Sequence, residues 1–200
     1  MKKLVLCLII IAFALNTNAQ EKGKVRVGLD AGLAFPNAGV GIGGDLDIRY
    51  NIMDNLNVGV NFGLAALVKD IVSTNGSSNY SATASAITHS LVTGDYYFNK
   101  PESSFAPFLG GGFGTFSIGN MQVTSSSEST SVPSSLTIDH KFGGLFRGGF
   151  EAGRFRMALE YYLIPRSTLV NLNNAVVGTS GNSYLNLSIG FYLWGGKWKK

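Results

Sequence analysis

The run Lys24-Val25-Arg26-Val27-Gly28-Leu29-Asp30-Ala31-Gly32-Leu33 sets Val25, Val27, Leu29, Ala31 and Leu33 on one parity and Lys24, Arg26, Gly28, Asp30 and Gly32 on the other. Successive side chains of a β-strand point to opposite faces, so this stretch reads as a strand with one apolar and one charged face. No segment after residue 20 carries a sustained helical period, and the alternation returns along the chain. Val40, Ile42, Leu46, Ile48 and Tyr50 oppose Gly41, Gly43, Asp45, Asp47 and Arg49, and Leu56, Val58, Val60, Phe62 and Leu64 oppose Asn57, Gly59, Asn61, Gly63 and Ala65. Further on, Phe142, Phe146 and Phe150 oppose Lys141, Arg147 and Glu151, while Met157, Leu159, Tyr161 and Leu163 oppose Arg156, Ala158 and Glu160. The last strand sets Leu185, Leu187, Ile189, Phe191 and Leu193 against Asn186, Ser188, Gly190 and Tyr192.

Two strands between these alternate less cleanly. Around Thr83 to Phe98, putting Val92, Tyr96 and Phe98 on the apolar face sends Asp95 to the other and leaves Leu91 among polar neighbours. Phe105 to Ser117 is rich in glycine, with Gly110, Gly111, Gly112 and Gly114 leaving room for another backbone or a tight curve, and its facing is open.

The chain is therefore expected to be all-β with eight strands. Its charged face carries Lys24, Arg26, Asp30, Asp45, Asp47, Arg49, Lys141, Arg147, Glu151, Arg156 and Glu160, almost every charge of the clear strands. Such a pattern also suits a soluble barrel with its apolar face inward. Connection lengths favour a membrane: those near Met53 to Asn55, Asn99 to Ser104 and Gly153 to Phe155 are short, as is the first, around Phe35 to Gly39. Those over Leu67 to Ala82, Ile118 to Thr137 and Pro165 to Asn182 are long and rich in Ser, Thr, Asn or Gly. All the long ones fall at one end, as in an antiparallel up-and-down transmembrane β-barrel of the bacterial outer membrane. Lipid offers no hydrogen-bond partner to a strand edge, which requires closure. The eleven charged residues would then line a polar lumen and neutralise one another as a plug.

Lys2 and Lys3 ahead of the apolar stretch Leu4 to Leu15, followed by Thr17 and Ala19, read as a secretory signal peptide over residues 1–19, cleaved after Ala19. The stretch is short of the ~20 residues a spanning helix needs. Cys7 lies inside it, so the barrel domain, residues 20–200, holds no cysteine for a disulfide or thiolate metal site. Without Lys2 and Lys3, fourteen basic residues face twelve acidic ones, which gives no case for nucleic acid. Lys197, Lys199 and Lys200 form a small solvated basic tail.

The chain resembles the outer-membrane β-barrel proteins common in Bacteroidota, akin to the N-terminal barrel of OmpA and to PorT-like proteins. The resemblance is carried by Asn18-Ala19-Gln20, Asp95-Tyr96-Tyr97-Phe98, Phe105-Ala106-Pro107-Phe108-Leu109-Gly110, Gly148-Gly149-Phe150-Glu151 and Leu159-Glu160-Tyr161-Tyr162. It implies an outer-membrane location and brings no catalytic residue. Leu187 to Leu193 resembles the terminal signal read by the barrel-assembly machinery, although the chain continues through Trp194 to Lys200.

Other constellations read as structural. Gly39, Gly41 and Gly44 match a dinucleotide-binding spacing, but Asp45 to Tyr50 continue as strand where that motif needs a helix. His89 and Ser90 are adjacent on a strand and point apart, so they form no catalytic dyad. His140 is the other histidine, too few for a zinc site without cysteine. Phe98, Phe105, Tyr161, Tyr162, Tyr192, Trp194 and Trp198 supply candidates for an interfacial aromatic girdle. The expectation is a non-enzymatic outer-membrane barrel without cofactor, whose partners are membrane lipid, the assembly machinery and an extracellular partner at the loops. The alternatives are a narrow channel or small-solute transporter, and a secreted soluble barrel with an apolar ligand inside.

Overall fold

A computed structural model describes residues 21–37, 39–71, 81–98, 104–124, 136–170 and 176–194. Residues 1–20, with the expected leader and Cys7, lie outside the described residues, as do Trp198 and the basic tail. The elements are β1 (Val25–Pro36), β2 (Gly41–Met53), β3 (Leu56–Ile71), β4 (Ser81–Tyr97), β5 (Phe105–Thr124), β6 (Leu136–Ala152), β7 (Phe155–Leu163), β8 (Ser167–Val170), β9 (Val176–Ser180) and β10 (Tyr184–Trp194). β1 to β7 and β10 pair in order, each antiparallel to its neighbour, and β10 closes on β1. The fold is the expected closed eight-stranded antiparallel barrel, and closure leaves none of these strands at an open edge.

One rung of the sheet can be followed around the ring. From Val25 it passes through Tyr50, Val58, Gly94, Gly111, Phe146, Tyr161 and Leu185, and re-enters β1 at Phe35, ten residues beyond its start. Eight strands with this stagger tilt by about 40° and enclose a space that side chains can fill.

Facing follows the alternation. Charged residues of the clear strands point in, and the large apolar ones point out: Leu29, Ile42, Leu64, Leu109, Phe142 and Phe146 are all more than half exposed. This is opposite to what the soluble alternative requires. β4 takes the register in which Asp95 and Leu91 point in while Val92 and Tyr96 point out. On β5, Phe108, Phe116 and Ile118 point in, and so do Gly110, Gly112 and Gly114, where an added Cβ would strike Asp95, Thr93 and Leu91 of β4. The glycines of β5 make interior room for larger neighbours.

Several expectations are corrected. β3 to β6 run further than apolar alternation indicated, so the connections around Leu67 to Ala82 and Ile118 to Thr137 are shorter; their middles, 72–80 and 125–135, lie outside the described residues. Pairing there is hairpin against hairpin and does not need an apolar face, which is why the pattern missed it. The stretch Pro165 to Asn182 contains the β8–β9 hairpin. Lys24 precedes the first β1–β2 pair, Val25 with Tyr50, and is exposed below the barrel, not inside it. Tyr162 and Tyr192 are buried inward, so of the girdle candidates only Phe98, Phe105, Tyr161 and Trp194 are exposed among the described residues.

Candidate functional site

The interior is built in layers. The lowest layer is a network of four arginines and three carboxylates, each on a different parity-matched strand position. Asp95 of β4 stands at its centre. It accepts hydrogen bonds from Arg49 of β2, from Arg147 Nε at 2.8 Å and from Arg156 Nη1 at 3.2 Å. Glu151 accepts from Arg26 Nη2 and from the Tyr97 hydroxyl, both at 2.6 Å. Asp47 accepts from Arg49 at 2.7 Å and from the Tyr192 hydroxyl at 3.0 Å. Rings fill the remaining faces of the cations: Arg26 lies 4.3 Å from the Tyr192 centroid and Arg156 lies 4.0 Å from that of Phe108. Arginine suits this role because its planar fork pairs with carboxylates and stacks on rings while staying charged.

Above lies a more acidic layer. His89 Nε2 sits 2.9 Å from Asp45 and 2.7 Å from Asn61 Oδ1. Glu160 accepts from Asn186 Nδ2 at 2.8 Å and from the Tyr162 hydroxyl at 3.4 Å. Asp30 is buried on the same level, beside Gly190, where a Cβ would collide with its carboxylate. Higher still the interior turns apolar. Tyr162 stacks on Tyr184 with centroids 4.6 Å apart, Phe116 meets Tyr162 edge-on at 6.2 Å, and Leu67, Ile87, Leu91, Ile118, Leu145 and Ile164 pack around them, all buried. The interior is thus strongly charged in its lower part and mainly apolar above it, up to the Lys141–Asp139 pair nearer the far rim.

Of the eleven charged candidates, Arg26, Asp30, Asp45, Asp47, Arg49, Arg147, Glu151, Arg156 and Glu160 are buried together. Lys141 points inward but lies nearer the far rim, about a quarter exposed, with its Nζ 3.0 Å from Asp139. Asp95, Tyr97, Tyr192 and His89 also belong to the network, and the alternation of charged and apolar residues does not single them out. The signal for Asp95 was its parity opposite Val92 and Tyr96, obscured by Leu91, which shares its face because it belongs to the apolar layer. His89 is buried while Ser90 is exposed on the outer wall, so the two point apart as strand geometry requires.

The class defined here is a closed eight-stranded antiparallel barrel, charged and packed inside and apolar outside. No protein-family model matches the sequence, and a search of curated proteins finds no match. Among solved structures, the chain is similar to the N-terminal β-barrel domain of Pseudomonas aeruginosa OprF, at 13% identity and TM-score 0.47 over 87% of this chain and 100% of that one. It is similar to Neisserial surface protein A at 15% identity and TM-score 0.49, covering 86% of this chain and 99% of that one. It is also similar to Ail, the attachment invasion locus protein of Yersinia pestis, at 11% identity and TM-score 0.47, covering 86% and 100% respectively.

Proposed function

We propose that this chain is an exported outer-membrane protein whose barrel is a lipid anchor and whose long connections form a surface for interaction, with no catalytic role. One observation carries the reading: on a closed barrel, the usual polarity of a water-soluble protein is inverted. Apolar side chains on the exterior lose about 25 cal/mol per Å² of favourable burial when left in water, yet here they cover the wall. In hydrocarbon the same wall is favourable, and closure satisfies every strand's backbone. Tight turns at Asp54-Asn55 and Gly153-Arg154 mark the inner end, and the connections after β3, β5 and β7 leave from the outer end.

In this reading, cleavage after Ala19 releases the barrel domain, the barrel-assembly machinery inserts it through a signal in Leu187 to Leu193, and an extracellular partner meets the loops. The lumen is closed to ions, because the apolar layer around Tyr162 and Phe116 offers a hydrated ion no partner. The test is gel electrophoresis of the detergent-extracted outer-membrane fraction, unboiled against boiled. A compact band that moves to the full-length position on boiling is the expected result. Protein found soluble without detergent, with no band shift, would sink the reading.

A further inference from the structure

We propose that the inner rim of the barrel binds the headgroups of anionic phospholipids through the basic residues near Trp194. The proposal rests on the membrane reading above. The charges of residues 20–200 divide by level. The buried interior sets the four arginines of the network against six carboxylates, Asp30, Asp45, Asp47, Asp95, Glu151 and Glu160. The outer end is balanced, with Lys69, Lys141 and Arg166 against Asp70, Glu128 and Asp139. Between β4 and β5, Lys100 and Glu102 cancel. The inner end carries the surplus: Lys22, Lys24, Arg154, Lys197, Lys199 and Lys200 stand against Glu21 and Asp54, six basic residues against two acidic.

This surplus lies where the apolar wall ends. Val25 and Leu193 are the lowest outward apolar residues of β1 and β10, 52% and 41% exposed, and the exposed Lys24 precedes Val25 directly. A strand advances about 3.3 Å per residue and charges act over about 8 Å at physiological salt, so Lys24 reaches headgroup phosphates at the hydrocarbon edge. Lys22 is exposed two residues further down, where its backbone N–H donates to Asp54 Oδ1 at 3.0 Å. Arg154 lies beside β10, because its carbonyl accepts from the Tyr192 N–H at 2.9 Å.

Trp194 is the second observation. Alternation on β10 turns Gly190 and Tyr192 inward, and Trp194 pairs with the buried Arg26, yet Trp194 is 69% exposed. Its φ of 63° lies in the left-handed region, which disfavours a bulky side chain. The ladder ends there, and Gly195 and Gly196 separate Trp194 from Lys197-Trp198-Lys199-Lys200 in the sequence. Tryptophan favours the bilayer interface, and lysine near it is drawn to anionic headgroups. An acidic soluble partner would use the cations but has no need of an aromatic residue at the edge of the wall. A second copy would bring like charges together.

Trp194 and Trp198 are the two tryptophans of the chain, so tryptophan fluorescence reads this rim. The experiment is its quenching in phosphatidylcholine bilayers that contain phosphatidylglycerol or phosphatidylcholine brominated near the carbonyl end of an acyl chain. Wild type should bind phosphatidylglycerol about fivefold more strongly, and lose the preference at about 1 M salt, where screening shortens to about 3 Å. Lys22→Gln, Lys24→Gln, Lys197→Gln, Lys199→Gln and Lys200→Gln together should abolish it, whereas Lys69→Gln with Arg166→Gln at the outer end should leave it unchanged. Equal quenching by the two lipids in wild type, or a preference that survives the inner substitutions, would overturn the proposal. So would tryptophan emission that responds to soluble polyglutamate while the lipids stay indistinguishable, which would assign the rim to an acidic polymer. Each protein is first checked for the heat-shifted gel band. A wild type without that band refutes the membrane reading and the proposal with it, whereas equal quenching in a protein that shows the band refutes the proposal alone.

Discussion

Asp95 shows how much the interior depends on single charges. It meets three guanidinium groups in a space with no bulk water, and removing one partner of a buried ion pair costs about 3–5 kcal/mol because the others remain charged. Asp95→Ala is therefore expected to lower barrel stability by about that amount, read from urea unfolding in lipid vesicles; an unchanged midpoint would contradict the network. Glycine makes the complementary point. Valine at Gly110 would place its Cβ against the Asp95 carboxylate and 2.7 Å from the Gly94 carbonyl oxygen, which is backbone and cannot swing away. Gly110→Val should cost about 1–3 kcal/mol, whereas Gly119→Ala, with open space around it, should stay within about 0.5 kcal/mol in the same assay. Nine of the buried charges could be read from parity alone, since Arg26, Asp47 and Glu151 each share a strand with large apolar residues on the opposite parity. Asp95 and His89 could not, because β4 faces an apolar layer above and a charged one below, and its inward residues are of both kinds.

Element boundaries were legible where one face is apolar and the other polar. β1, β2, β7 and β10 obey this along their length. β7 stops at Leu163 opposite Gly144, while β6 continues outward to Leu136, opposite Met121 of β5. β3 likewise continues to Ile71 beyond the Gly41–Leu67 pair that ends β2. Those extensions rise past the other four strands and pair with each other without an apolar row. Alternation alone therefore reads them as loop. Residues 125–135, between β5 and β6, lie outside the described residues, and the entropy of closing a loop changes only slowly with its length. Deleting Ser125 to Ser131 should leave the heat-shifted band and its yield unchanged. Loss of the inserted form in that variant would show that the segment takes part in folding.

For the molecule as a whole, sequence made the ring legible but not its filling. Alternation and loop asymmetry were enough for eight closed strands, because both are set by local chemistry. Which inward residues share a level depends on the stagger of ten residues around the ring, which no single strand records. That stagger brings Tyr162 of β7, Phe116 of β5 and Leu67 of β3 into one layer. Purified barrel in planar bilayers should accordingly show no stable large current, and replacing Phe116 with Ala should not open one while Tyr162 and its apolar neighbours remain. A large steady conductance from wild type would mean that the layer yields to water.

The pairing of β10 with β1 sets Arg26 directly opposite Trp194. The first and last strands of the ring are thus side by side at its inner end, one strand spacing of about 4.8 Å apart. Geometrically the sheet has no beginning: the chemical break between β10 and β1 could be sealed with a short linker and a new one opened at Asp54-Asn55 or Gly153-Arg154. Such a circularly permuted chain would keep every ladder while changing which strand comes last in the chain. It would separate the stability of the ring from the order in which a cell builds it.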